Sequence, residues 1–243
     1  MPEPQAVSEA PFSAEDLVGV AINRGLFHLG LFYRDEEEKA QVFHLAMHWD
    51  VRCQQTEQPK NFFAWVRPAW SQTKREMVAM IAQLVKTRAE ADGGLPYGFS
   101  NPEGALKPDG SIVDGVLGFT CASLVVSIFD RAGAPLLKTA TWMPLLEDET
   151  WQRYEAIPMI SCDDPEHAKA LEKSLPQSRY RPTQVFAAAC HDAPQITREE
   201  CDELVPVVTY KLKKMMKTSH SSGNLVSQAP EGPGAEDDTN QQS

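Results

Sequence analysis

The chain has few basic residues for its length. It holds 23 lysines and arginines against 34 aspartates and glutamates, which gives a net charge of −11 over 243 residues. The densest basic segment is the short run from Lys211 to Lys214. Because nucleic acids and anionic membranes both require a positive face on the protein, this charge balance argues against either as a partner.

Long apolar runs are also missing, so we expect no membrane span. The N-terminal residues MPEP lack the basic and apolar regions of a signal peptide. These features predict a cytoplasmic protein, although export by a signal-free route stays open. The five cysteines have irregular spacing and do not form the pattern of a disulfide framework.

No metal or cofactor site is predicted. His44 and His48 would be chelating neighbours on a helix, but their segment alternates like a strand and would separate them by about 13 Å. Five further residues match no compact zinc-binding pattern and are interpreted as structural: Cys162, His167, Cys190, His191 and Cys201. The chain has neither a P-loop nor a dinucleotide-binding fingerprint, and no cofactor is expected.

The sequence pattern divides the chain into a central domain and two terminal segments. Residues 14–217 are predicted to form one α+β domain, with an extension after about residue 135 that has no recognisable pattern. Residues 1–13 are rich in proline and glutamate and are expected to be loose. Residues 218–243 contain few apolar side chains and are predicted to be a disordered tail.

Within this domain, four local patterns are clear. A short strand is predicted over 17–22. An amphipathic helix over 71–92 is expected to be capped by Ser71 and to bury a stripe of apolar residues: Met77, Met80, Ile81, Leu84 and Val85. Residues 93–118 are predicted to form a long loop that leads to a second helix. In the C-terminal part, a capping box at Thr197 predicts a further helix, which Pro206 is expected to interrupt.

Two histidines lie on one face of a predicted β-hairpin. The segments LFHLGLFY (26–33) and QVFHLAMH (41–48) alternate about a charged turn, with an apolar face opposite the histidines. Closing the hairpin makes His28 and His44 neighbours on one face, while His48 is expected to be more exposed. Gly30 and Ala46 are small, so another element can approach that face closely.

Cys121 opens the apolar helix that follows the long loop, in the sequence GFTCASLVV (118–126). A buried cysteine in a core helix is the simpler interpretation. The position at a helix N-terminus favours a reactive cysteine instead. The free N–H groups of the first turn can stabilise a thiolate, and during a reaction they can stabilise an oxyanion. We therefore predict that Cys121 is a nucleophile, with His28 as its base and His44 as the partner that orients His28.

These motifs resemble those of the circularly permuted NlpC/P60 group of papain-like cysteine hydrolases. FHLGLF (27–32) is similar to the group's histidine strand, VFHL (42–45) to its second strand, and TCASLV (120–125) to its cysteine helix. The resemblance covers roughly residues 14–133. It implies a papain-like fold in which a small antiparallel sheet packs its histidine face on the helix that carries the cysteine.

The resemblance also implies a function, which is hydrolysis of an amide, peptide or isopeptide bond in a peptide or protein substrate. The related lecithin retinol acyltransferase-like proteins carry Asn-Cys-Glu-His around the nucleophile. This chain has Thr120, Cys121 and Ala122 there, which favours hydrolysis over lipid acyl transfer. Two alternatives stay open, namely a thiol acyltransferase or thioesterase with the same residues, and a catalytically inactive interaction module.

Overall fold

A computed structural model describes residues 1–8, 11–13, 16–56, 61–193 and 195–223. Its strands all precede its long helices, as expected for an α+β fold. The strands are β1 (Gln5–Ala6), β2 (Val18–Ile22), β3 (Leu29–Arg34), β4 (Ala40–Met47), β5 (Asp50–Gln55) and β6 (Ala64–Val66). The helices are α1 (Gln72–Asp92), α2 (Cys121–Arg131), α3 (Leu146–Trp151), α4 (Ile157–Asp163), α5 (Pro165–Ser174), α6 (Pro182–Ala189) and α7 (Arg198–Gly223).

The strands form one antiparallel sheet in the order β1-β6-β2-β3-β4-β5. The predicted hairpin is present, with Leu31 opposite Phe43 in the pairing of β3 with β4. The expectation of a loose N-terminus is wrong in part. Strand β1 pairs with β6, and Val7 and Phe12 are buried, because the sheet face that β1 borders needs an apolar cover.

Each face of the sheet has its own apolar core. One core joins Leu31 and Phe43 of the hairpin to residues of α1, α2 and α6. The other is smaller and contains Phe12, Phe32, Val42, Phe62 and Trp65. Alternation along β3 and β4 assigns the two histidines to this second face, where the His44 and Phe62 rings lie 5.2 Å apart.

The prediction that the histidine face packs on the cysteine helix is therefore wrong. Helix α2 covers the apolar face of the hairpin, since Leu124, Val125 and Phe129 belong to the same core as Leu31 and Phe43. The physical reason is burial, because an apolar helix removes most surface from water by packing against the apolar face. The sheet does pack on the helix that carries Cys121, but through its other side.

Helix α1 follows the sequence prediction closely in its bounds. Ser71 accepts a hydrogen bond from the backbone of Lys74, and Gly93 ends the helix in a left-handed conformation. The predicted stripe is only partly correct. Ile81 and Val85 are buried, whereas Met77 and Met80 are exposed. The buried face of α1 is rotated from the predicted stripe toward smaller side chains, and its other members are Val78, Ala79, Ala82 and Ala89.

Helix α7 corrects two predictions about the C-terminal part. The capping box forms, with Thr197 and Glu200 bonded to each other's backbone N–H. The helix then runs through Pro206 without a break. It also continues to Gly223, beyond the predicted start of the tail at 218, and residues 224–243 lie outside the described residues. Among the described helices, none combines the length and apolar character needed to cross a membrane.

The segment that leads into α2 depends on Gly118, which has φ +118°. A Cβ there would lie 2.2 Å from the carbonyl oxygen of Pro96. We expect Gly118→Ala to lower the free energy of unfolding by about 3 kcal/mol, measured by urea denaturation, because strain and a backbone clash act together. Gly115→Ala is the matched control, since Gly115 has φ +87° but nothing within 4 Å, and its loss should be about 1 kcal/mol. Equal losses would show that the close approach to Pro96 costs nothing.

Candidate active site

The turn between β2 and β3 positions His28 immediately before the first residue of β3. The side chain of Asn23 accepts hydrogen bonds from the backbone N–H groups of Phe27 and His28, at 3.0 and 3.1 Å. On the same face, Gly30 lets Phe62 approach so closely that a Cβ would lie 2.5 Å from that ring. The predicted close approach at Gly30 is confirmed, and the His28 and His44 rings contact the same phenylalanine.

His28 and His44 are direct partners, as the hairpin alternation predicted. His28 Nε2 lies 2.8 Å from His44 Nδ1, with the two rings nearly perpendicular. Burial lowers the pKa of both rings, that of His44 to about 4, so both are neutral near pH 7. Only one can donate in this bond. When His28 donates, its Nδ1 carries a lone pair and is the atom left to accept a proton.

Cys121 is the first residue of α2, and its helix start is well defined. Thr120 and Ser123 form a reciprocal capping box, in which each side chain accepts from the other's backbone N–H at 2.8 and 3.1 Å. Phe119, just before the cap, pairs in parallel with Tyr97 of the long loop. These bonds fix the start of α2 at Cys121 and leave the N–H groups of Cys121 and Ala122 for other acceptors.

The sulfur of Cys121 sits among backbone donors. The N–H groups of Leu29, Ala122 and Cys121 are directed at it. Pairing of β3 with β4 ends at Leu31, which frees Leu29 for this contact. Burial nevertheless outweighs these donors and raises the pKa of the thiol to about 11. The expectation of a resting thiolate is therefore wrong, since desolvation of the charge exceeds the stabilisation from the helix start.

Cys121 and His28 line one cavity of about 320 Å³. Its walls are mainly apolar, and Phe27, Met47 and Met159 stand at its rim with about half or more of their surface exposed. His44 does not line this cavity; it lies behind His28 and is 4% exposed. The predicted nucleophile and base thus share one solvent-connected space, and the predicted orienting residue supports the base from the protein interior.

A second histidine pair was missed by the sequence analysis. His48, expected to be exposed, has a side chain only 3% exposed and stacks on His167 at 4.8 Å. His48 Nδ1 accepts from the Tyr97 N–H at 3.0 Å, and His167 Nε2 lies 2.8 Å from the Tyr97 carbonyl oxygen. Both histidines therefore hold the loop residue that pairs with Phe119. No sequence signal joins them, because His167 belongs to a helix more than a hundred residues away.

The other cysteines are separate from this site. Cys190 and Cys201 are buried, Cys53 is partly buried and Cys162 is exposed. Within the described residues, no group of three or more histidine, cysteine, aspartate or glutamate side chains is arranged to hold a metal ion.

Comparisons with protein-family models, with curated proteins and with solved structures give no match to this chain. The resemblance to permuted NlpC/P60 proteins therefore rests on the three motifs alone.

The raised thiol pKa predicts a steep pH dependence of alkylation. Below a pKa of about 11, the thiolate fraction of Cys121 rises about tenfold for each pH unit. We expect the rate of iodoacetamide labelling at Cys121, followed by peptide mass spectrometry, to rise in this way from pH 7 to pH 10. A short cysteine peptide with the ordinary pKa of about 8.5 should level off within that range. A similar plateau at Cys121 would show that burial does not raise the pKa of its thiol.

Proposed function

We propose that this protein is a cysteine-dependent hydrolase of an amide, peptide or isopeptide bond. The observation that carries the proposal is the shared cavity, since Cys121 at the helix start and His28 both line it. The 2.8 Å bond from His28 to His44 supports it, because that bond fixes the ring and leaves Nδ1 as its free nitrogen.

The proposed reaction begins with both groups neutral. As Cys121 Sγ bonds to the substrate carbonyl carbon, its proton moves to His28 Nδ1, and the carbonyl oxygen becomes an oxyanion. The C–N bond then breaks, and His28 returns the proton to the leaving amine. Water attacks the thioester with His28 again as the base, which releases a carboxylic acid and restores the thiol.

Backbone groups support the charged stages of this reaction. In this proposal, the N–H of Cys121 at the first turn of α2 turns from the sulfur to the oxyanion and donates to it. The N–H of Leu29, already directed at the sulfur, stabilises the thiolate as it forms and as it leaves. Because these donors are held by the helix cap and by the strand, they are already near the reacting sulfur when charge develops.

Trapping the thioester tests the proposal. Wild-type protein should be incubated with a library of acylated peptide amides and quenched in acid, and an acyl adduct on Cys121 identified by mass spectrometry. In water enriched in ¹⁸O, hydrolysis should place one heavy oxygen in each carboxylic acid product. Absence of both the adduct and the labelled acid across the library would contradict the proposal and favour an inactive interaction module.

A second candidate function is acyl transfer or thioester hydrolysis by the same residues. The apolar walls of the Cys121 cavity and the exposed rim of Phe27, Met47 and Met159 favour it, because such a surface accommodates an alkyl chain. The same ¹⁸O experiment separates the reactions. Transfer would give an acylated amine or alcohol without heavy oxygen, and faster adduct formation from acyl thioesters than from amides would identify a thioesterase.

A further inference from the structure

The backbone around Tyr97 is bonded on two edges. On one edge it lies beside Phe119, where the Gly98 N–H donates to the Phe119 carbonyl oxygen and the Phe119 N–H donates to the Pro96 carbonyl oxygen, each at 3.0 Å. Because backbone groups alternate along an extended segment, the N–H and carbonyl of Tyr97 itself face the opposite edge. The histidine pair bonds to both of these groups, and so takes the place that a neighbouring strand would fill.

This bonded segment connects the histidine pair to the reaction site. Phe119 lies two residues before Cys121, and Tyr97 lines the cavity that contains Cys121. A displacement of Tyr97 would therefore affect both the wall of that cavity and the segment that begins α2. The groups that hold Tyr97 in place thus bear on the exposure of the thiol.

The bonds to Tyr97 determine which nitrogen of each ring carries hydrogen. The Tyr97 N–H is a donor, so His48 Nδ1 accepts with a lone pair, and neutral His48 carries its hydrogen on Nε2. The Tyr97 carbonyl only accepts, so His167 Nε2 carries a hydrogen. An added proton therefore has different effects on the two rings. His167 would take it on Nδ1 and keep its bond, whereas His48 can take it only on the atom that accepts from Tyr97.

The groups around His48 determine its response to pH. His48 Nε2 lies 3.5 Å from Asp164 Oδ2, and Asp164 stays ionised because the backbone N–H of His167 donates to it at 3.0 Å and lowers its pKa. Burial lowers the pKa of His48, the charge of a protonated His167 lowers it further, and Asp164 and Asp163 oppose this only in part. The titratable side chains that share the surroundings of His48 are His28, Cys121, Asp163, Asp164 and His167.

The lowered pKa of His48 sets the direction of the response. A ring released from Tyr97 and open to water has a pKa near the ordinary value of about 6.5, whereas the bound ring has a lower one. Above about pH 6.5 both arrangements are neutral, and the bond is at full strength. As the pH falls below about 6.5, the released arrangement takes up a proton first. Release is then favoured by up to about tenfold for each pH unit, until the pKa of the bound ring is reached.

We propose that His48 is a positioning residue for Cys121 that acts only in its neutral form. Unprotonated, its Nδ1 holds Tyr97 in place beside Phe119. A proton taken up from solvent on that atom opposes the Tyr97 N–H, releases Tyr97 and opens the wall of the Cys121 cavity. As a control of hydrolysis this inference rests on the proposed function, but the positioning itself can be measured without turnover.

Amide hydrogen exchange at Tyr97 tests the bond directly. It is measured by NMR on the full chain labelled with ¹⁵N, and expressed as protection relative to an unstructured chain, which removes the pH dependence of the chemical step. We expect this protection to fall about tenfold from pH 7 to pH 5, and the ring spectrum of His48 at pH 7 to show hydrogen on Nε2. Constant protection, or hydrogen on Nδ1 at pH 7, would overturn the proposal.

His48→Asn identifies the group that responds to pH. Asparagine Oδ1 can accept from the Tyr97 N–H at the position of Nδ1, but it does not titrate, so protection in this variant should be independent of pH. His167→Gln is the matched control, because glutamine keeps a donor for the Tyr97 carbonyl and leaves His48 in place. Its protection should still fall with pH. A fall of wild-type size in His48→Asn would assign the response to another group, such as His28, and overturn the proposal.

Alkylation of Cys121 at pH 7.5 tests the positioning. His48→Leu removes the acceptor for the Tyr97 N–H, whereas His48→Asn keeps one. Relative to the exposed Cys162 in the same sample, iodoacetamide should label Cys121 about tenfold faster in the leucine variant than in the asparagine variant. That factor corresponds to a fall of about one unit in the thiol pKa as water reaches the sulfur. Equal labelling would show that the bond does not position Cys121, and would overturn the proposal.

The outcomes separate this proposal from the hydrolase proposal. Constant protection of the Tyr97 N–H would overturn the role of His48 and leave the hydrolase proposal standing. The predicted exchange and labelling, in a protein that forms neither the acyl adduct nor the ¹⁸O-labelled acid, would instead overturn the hydrolase proposal and leave the role of His48 standing. The wild-type exchange and ring spectrum decide the question even if the His48 variants do not fold.

Discussion

Replacing Cys121 with alanine should abolish turnover, with a loss of about 10⁴-fold or more in the rate of substrate hydrolysis. The thiol forms the covalent bond between protein and substrate in the proposed reaction, and neither water nor an alanine methyl can replace it. Folding should be nearly unaffected, because the side chain is small and lies at the helix start with 8% of its surface exposed. The measurements are the initial rate with the substrate found by acyl trapping, and the melting temperature.

The matched control is Cys190→Ala, which removes a fully buried thiol from the C-cap of α6, far along the chain. It should lower stability as much as Cys121→Ala or more, but retain the wild-type rate. Activity in Cys121→Ala within tenfold of wild type would remove Cys121 from the reaction, whatever its labelling behaviour.

Replacing His28 with alanine should slow hydrolysis by about 10²- to 10⁴-fold, the range typical of a lost general base. The effect should be large because the thiol is protonated at rest, with its pKa raised to about 11, and cannot ionise without an acceptor. Steady-state rates at pH 7 to 9 measure this loss. The deficit should shrink as the pH rises, since hydroxide increasingly takes over the removal of the proton.

His44 provides the control for orientation. His44→Asn keeps an acceptor, Oδ1, at the position of Nδ1, whereas His44→Leu removes it from the 2.8 Å bond with His28. We expect the asparagine variant to retain more activity than the leucine variant, and both to exceed His28→Ala. Equal activity in the two His44 variants would show that the bond does not orient the base.

Local sequence determined the elements that present these residues. The alternation about the charged turn predicted the hairpin and the contact of His28 with His44. Ser71 and the apolar periodicity of residues 71–92 predicted α1, and the apolar run after Cys121 predicted α2. Each of these depends on neighbours within a few residues, where caps, turns and periodicity act directly on the backbone.

Tertiary structure decided what surrounds those residues. Which sheet face α2 covers depends on the total apolar area buried, so the helix packs opposite the two hairpin histidines. The protonation of Cys121 depends on desolvation by distant segments, which outweighs the helix-start donors that the sequence made visible. The contacts of His48 and His167 with Tyr97 join residues remote in the chain. No local pattern encodes such contacts, because they arise only when separate elements pack.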